Sequence, residues 1–274
     1  TFSGRTAFTE VVIPNYVTKI GANAFYGCRS LTKITFEGSR SRDLTVGDAA
    51  FFGCTNAKEI LLAGNNGSAP DAGSVSIGAY AFSGISELRT LKVGAGVNIS
   101  EIGTAAFEAD QKLRTIDVSA SATVTRIGDR AFRGCEGLIA FTIPASTVAV
   151  GDSAFSDCAF LAKVVFAPNG QNIDFGSYVF RNCVALTSVE LPATVQSFDG
   201  SAFDGCSSLR TIVVDAANPY LTTENGILYN KSMTEIMFYP KGINDPTLAQ
   251  LPWETLTVIG NTVFKNNANL TSVT

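Results

Sequence analysis

A phenylalanine returns at Phe2, Phe25, Phe51, Phe82, Phe107, Phe132, Phe155, Phe180, Phe203 and Phe264, and the first nine are 23, 26, 31, 25, 25, 23, 25 and 23 residues apart. A self-similar period of this size marks a solenoid, in which one supersecondary unit is stacked on copies of itself. Four residues before the phenylalanine stands glycine, at Gly21, Gly47, Gly78, Gly103, Gly128, Gly151, Gly176 and Gly260, with an apolar residue ahead of it; Asp199 departs from this column. Six residues after it comes a leucine in most units, such as Leu31, Leu88 or Leu113, then apolar residues three and five further on.

The L-x-x-I-x-I part places its last two apolar residues on one face of a short strand, with the residue between them facing out. The Gly-x-x-Ala-Phe part predicts a turn leading into one short helical turn, capped by Asp48, Asp129 and Asp152. Proline at Pro14, Pro144 and Pro192 ends the strand. The 61-residue gap from Phe203 to Phe264 is read as one hidden unit, with Met233, Ile236 and Phe238 in the leucine and strand positions and Ile227 in place of phenylalanine. This leaves an insertion of about a dozen residues within 239–257, containing Pro252 and Trp253. The expectation is an α/β repeat solenoid of about eleven units, roughly 50 Å long at a strand spacing of about 4.8 Å. It is one domain over 1–274, irregular at about 215–257, and the chain begins and stops inside a unit, as a fragment of a longer protein does.

Composition narrows the function. Hydrophobic residues make up 46% of the chain and charged residues 16%, which fits a packed array and not a disordered segment. No histidine is present, which excludes Ser-His-Asp and Cys-His nucleophiles and histidine-based metal sites. No phosphate-binding, dinucleotide-binding or calcium-loop motif occurs, so neither an enzyme, a cofactor nor a metal is expected. Cys28, Cys54, Cys135, Cys158, Cys183 and Cys206 each follow a repeat phenylalanine by three residues. One sulfur per layer cannot converge four ligands on a point, so these are expected to be buried free thiols.

The outward strand places carry a basic stripe, Lys33, Lys58, Arg89, Lys92 and Arg114, on a chain of net charge −4. Such a stripe suits an acidic protein or an anionic glycan. No aromatic residues interleave with it and the chain is acidic, which argues against nucleic acid. A second candidate is an aromatic group, Tyr220, Tyr229, Tyr239 and Trp253, suited to carbohydrate if it is exposed.

The unit, seen at Val17-Thr18-Lys19-Ile20-Gly21-Ala22-Asn23-Ala24-Phe25-Tyr26-Gly27-Cys28, resembles the BspA-like leucine-rich repeats, also called the Treponema-type class. The resemblance covers Phe2 to Thr274 and implies a curved right-handed solenoid, with strands on the concave face and helical turns opposite. It implies export to the cell surface or beyond and adhesion to host matrix or microbial proteins. The family has no shared ligand-contact motif to carry over. The expected function is therefore a monomeric, non-catalytic binding or adhesion domain that does not insert into membranes. The alternatives are a passive spacer and a carbohydrate-recognition module.

Overall fold

In the computed structural model the described residues are 1–64, 73–167, 171–196, 200–243, 248–265, 267, 270 and 271; Asp199 lies outside them. The L-x-x-I-x-I segments form the expected strands. Glu10–Ile13, Lys33–Phe36, Glu59–Leu62, Thr90–Val93 and Thr115–Val118 pair in parallel as one five-stranded sheet. Ala140–Ile143 pairs with Lys163–Phe166, and Ser188–Leu191 with Thr211–Val214, in the same parallel sense. Alternation holds along them: Ile34 and Phe36 are buried, while Lys33 and Thr35 are partly exposed.

A second parallel sheet, which the sequence reading lacks, is built from the residues ahead of the glycine. Its seven strands are Lys19–Ile20, Leu44–Val46, Ser74–Ile77, Asn98–Ile102, Thr123–Ile127, Ala149–Val150 and Asp174–Phe175. From Gly47 to Gly176 the glycine after each strand is needed for close approach of the coils, since a Cβ on Gly103 would lie 2.5 Å from the Ile77 carbonyl oxygen.

The predicted helical turns are replaced by tight turns. Two residues before the phenylalanine, Asn23, Ala49, Tyr80, Ala105, Arg130, Ser153 and Tyr178 all have φ between 52° and 58°. Such a residue cannot continue a right-handed helix. It is instead the third residue of a turn closed by Ala24 N–H donating to the Gly21 carbonyl at 3.2 Å, and a positive φ is what a type II turn requires there. The backbone N–H groups are spent between coils: Asn23, Phe25 and Gly27 donate to the carbonyls of Asp48, Ala50 and Phe52 at 3.0, 2.7 and 2.8 Å. Asp48, Asp129 and Asp152 cap the next coil and not a helix; Asp48 Oδ1 accepts from Ala79 N–H at 2.9 Å, and Asp152 Oδ1 from Ser177 N–H at 2.7 Å. Gly200–Phe203 is the one helical element among the described residues, a single 3-10 turn.

The repeat phenylalanines form a ladder of rings. Centroids from Phe2 through Phe203 are 4.8 to 5.7 Å apart and successive planes are within 18° of parallel. Beside it runs a ladder of thiols. Each cysteine Sγ donates to the repeat phenylalanine carbonyl of the preceding coil, from Cys28 to Phe2 at 3.0 Å through Cys206 to Phe180 at 3.0 Å. All six cysteines are free and buried, and burial pushes the Cys54 thiol up to about 12. Asp110 takes the cysteine's place in one coil. Its Oδ1 accepts from Ile85 N–H at 2.7 Å, its Oδ2 is buried without a partner, and burial raises its carboxyl well above the ordinary range.

The regular array has about nine coils, counted by its L-x-x-I-x-I strands from Glu10–Ile13 to Thr211–Val214, and not eleven. After Val214 the chain doubles back. Leu221–Glu224 and Ile227–Asn230 form an antiparallel hairpin, Glu235–Phe238 adds antiparallel to it, and Val258–Ile259 pairs in parallel with Glu235–Phe238. Ile227 therefore sits in a strand and does not replace the phenylalanine. Gly260 N–H donates to the Ile236 carbonyl at 2.9 Å, the bond that Gly103 makes to Ile77 in a regular coil, so Ile236 holds the place ahead of the glycine. Tyr239 supplies the ring that meets Phe264, at 5.5 Å, and the extra residues are those of the hairpin. Buried Asn218 ties this segment to the array. Its Nδ2 donates to the carbonyls of Pro192 and Val195, and its Oδ1 accepts from the N–H groups of Tyr220 and Leu221.

Candidate partner-binding surface

Parallel pairing in register turns each outward sequence position into a column running across the coils. The five candidate cations fall on three such columns. Lys33 lies laterally between Glu10 and Glu59, so acids flank it on both neighbouring strands. Lys92 lies between Leu61 and Asp117. Neither column carries a net excess of positive charge at that point.

Lys58, Arg89 and Arg114 behave differently, because all three share the position just ahead of the strand. Arg89 N–H donates to the Lys58 carbonyl at 2.9 Å and Arg114 N–H to the Arg89 carbonyl at 3.0 Å, which stacks them on successive coils. All three side chains are exposed. Lys112 joins them from the adjoining column. Its Nζ pairs with Glu87, which also meets Arg89 at 3.7 Å. The Lys112 hydrogen bond, with Arg89 and Lys58 nearby, holds the Glu87 carboxyl below its ordinary range. Three cations, Lys112, Arg89 and Lys58, thus act on Glu87, with Glu136 accepting from Gln111 at 3.3 Å on the next coil.

The column continues through Ile139 and Ala162, since Ala162 N–H donates to the Ile139 carbonyl at 2.8 Å. Beside it Phe160 exposes 65% of its surface. Lys112 and Phe160 were not among the expected site residues. Both stand five places after a repeat phenylalanine, at Phe107 and Phe155, so counting that column is the signal that finds them.

The aromatic group does not form one face. Tyr229 and Tyr239 are fully buried in a small second core with Ile227, Ile236, Leu248, Leu251 and Val263. Burial pushes the Tyr229 hydroxyl up to about 12. Only Tyr220 and Trp253 reach solvent, so the carbohydrate alternative loses two of its four residues to packing. Among the described residues no helix is long and apolar enough to cross a membrane.

Stacked two-sheet coils, an apolar ladder inside and variable columns outside define a leucine-rich repeat solenoid. The chain belongs to the BspA type leucine-rich repeat family, whose repeat region it matches over residues 1–124, 68–176 and 174–274. Among solved structures it is similar to a leucine-rich repeat protein of T. pallidum, with 26% identity, 65% of this chain and 78% of that one covered, and a TM-score of 0.51. It is also similar to the pneumococcal vaccine antigen PcpA, with 20% identity, 98% of this chain covered and a TM-score of 0.58; the match spans 60% of PcpA. A leucine-rich cell surface protein from Faecalibacterium prausnitzii matches at 21% identity and a TM-score of 0.58, covering 97% of this chain and 69% of that one. These last two share the fold. No curated protein is significantly similar to the chain in sequence.

Proposed function

We propose that this chain is a non-catalytic, monomeric cell-surface or secreted binding domain, which engages a host-matrix or microbial surface protein through the outward face of its first sheet. The observation that carries this reading is the Lys58, Arg89 and Arg114 column. Like charges in register on adjacent strands destabilise a sheet, and elsewhere on this sheet the same geometry sets Lys33 between two acids. A column that Glu87 compensates only in part, on a chain whose net charge is −4, suits an anionic partner surface. Family membership and the surface-protein name of one structural neighbour support the class of function. A single 1–274 domain within a longer surface protein is part of the same reading.

The test is binding of the purified domain to immobilised matrix proteins, mucins and sulfated glycans at low and physiological salt. The native domain is expected to bind a protein ligand saturably, with affinity falling as salt rises. The Lys58→Glu, Arg89→Glu, Arg114→Glu triple variant should bind far more weakly. Absence of any saturable ligand at either salt would favour the passive spacer.

A further inference from the structure

A shallow open depression of about 830 Å³ lies beside the cationic column and joins two chemistries. One side is formed by Arg89, Lys112 and Arg114, and the other by Ile139 and Phe160. Gly137 lies between them. A Cβ there would be 2.8 Å from the Gln111 carbonyl oxygen, so the coil spacing forbids a side chain and keeps the floor low. Ile139 exposes 46% of its surface and Phe160 65%, although every repeat phenylalanine from Phe25 to Phe203 is buried.

We propose that this depression binds an extended acidic segment of a partner protein that carries one apolar side chain. Its carboxylates would meet Arg89, Lys112 and Arg114, and its apolar residue would lie over Gly137 against Ile139 and Phe160. The inference rests on the protein-binding reading above and adds the chemistry of the ligand. Charge complementarity argues for the acid: three cations, Lys58, Arg89 and Lys112, act on Glu87, two of them paired with it, while Arg114 extends the excess by a coil. Coils spaced about 4.8 Å apart set the cations at intervals that an extended peptide, with same-face residues about 6.8 Å apart, can follow obliquely. The exposed ring decides between ligand classes. A sulfated glycan satisfies cations but gains little from covering Phe160, whereas an aromatic or aliphatic anchor in a desolvated hollow is what gives a protein contact its affinity.

The experiment is fluorescence anisotropy with a labelled peptide of alternating Glu and Ser carrying one central Leu. The same peptide with Ser replacing Leu, and a heparin fragment as competitor, complete the set. The native domain is compared with Phe160→Ser and with Arg89→Glu combined with Arg114→Glu, after circular dichroism shows that each variant is folded. The Leu peptide is expected to bind saturably; losing either Phe160 or the Leu should weaken it by about tenfold or more, and the charge reversal should abolish it. No saturable binding of the Leu peptide, or binding insensitive to Phe160→Ser, overturns the proposal. Heparin binding that is charge-sensitive and indifferent to Phe160 also overturns it, in favour of a glycan. A matrix ligand that binds the domain but ignores Phe160→Ser would place the contact elsewhere and leave the protein-binding reading standing; silence in both experiments would remove both.

Discussion

On its inner side the first sheet repeats itself, with Ile34 and Phe36, Ile60 and Leu62, then Leu91 and Val93 in register. On its outer side the matching column runs Val12, Thr35, Leu61, Lys92 and Asp117, and the column just ahead of the strands runs Lys58, Arg89, Arg114, Ile139 and Ala162. The inner columns are uniform because each coil buries its apolar face only against copies of that face. The outer columns carry no such constraint, so a local excess of like charge there signals something other than folding. The contrast predicts that inner substitutions change stability whatever the ligand, and that substitutions in the cationic column change binding with almost no effect on stability.

The largest effect is expected at Phe107, stacked 5.2 Å from both Phe82 and Phe132. Phe107→Ala should cost about 3–5 kcal/mol in denaturant unfolding, by removing a buried ring and leaving a cavity. A cost near zero would mean that the ladder does not hold the coils together. Asn218→Ala should cost about 1–3 kcal/mol, since it strands buried carbonyls and N–H groups between the array and the hairpin. Hydrogen exchange should then quicken first in Leu221–Asn230; uniform acceleration along the array would contradict this local role.

Asp110 offers a chemically sharper break in the inner column. Its raised folded-state pKa means that the folded protein keeps a proton which the unfolded chain releases near its ordinary value of about 4. The stabilising preference for the protonated acid is fully present below that value. It is lost as pH rises toward the folded-state pKa, so the native domain should weaken from mildly acid to neutral pH. Asp110→Cys restores the thiol that donates to the preceding phenylalanine carbonyl in six other coils. It should raise stability at pH 7 by on the order of 1–3 kcal/mol and flatten the pH dependence. Parallel pH profiles of the two proteins would refute the buried acid. The smallest effect on stability is expected for Arg114→Glu, within about 0.5 kcal/mol of native, as usual for an exposed surface site.

What the sequence disclosed follows the same division. The phenylalanine, leucine and strand positions were legible because they recur, and the buried thiols followed from their fixed offset. The tight turns were not, because their left-handed residue is Asn23, Ala49, Tyr80 or Arg130 in different coils, with no glycine to mark it. The second sheet escaped because strands as short as Lys19–Ile20 or Ala149–Val150 show no alternation. The end of the array carries no such mark, because a tyrosine, Tyr239, meets Phe264. At the candidate site the Lys58, Arg89 and Arg114 column was visible from spacing. Its separation from Lys33 and Lys92 needed the strand register, and Phe160 was hidden by being a phenylalanine outside the repeat position.

The most direct test of the account pairs a melting curve with a binding isotherm, for the native domain and the Lys58→Glu, Arg89→Glu, Arg114→Glu variant, using the tightest protein ligand from the matrix and mucin panel. The account predicts nearly identical melting temperatures and a loss of saturable binding in the variant. Equal binding by both proteins, or a variant that binds weakly only because it is unfolded, would contradict it.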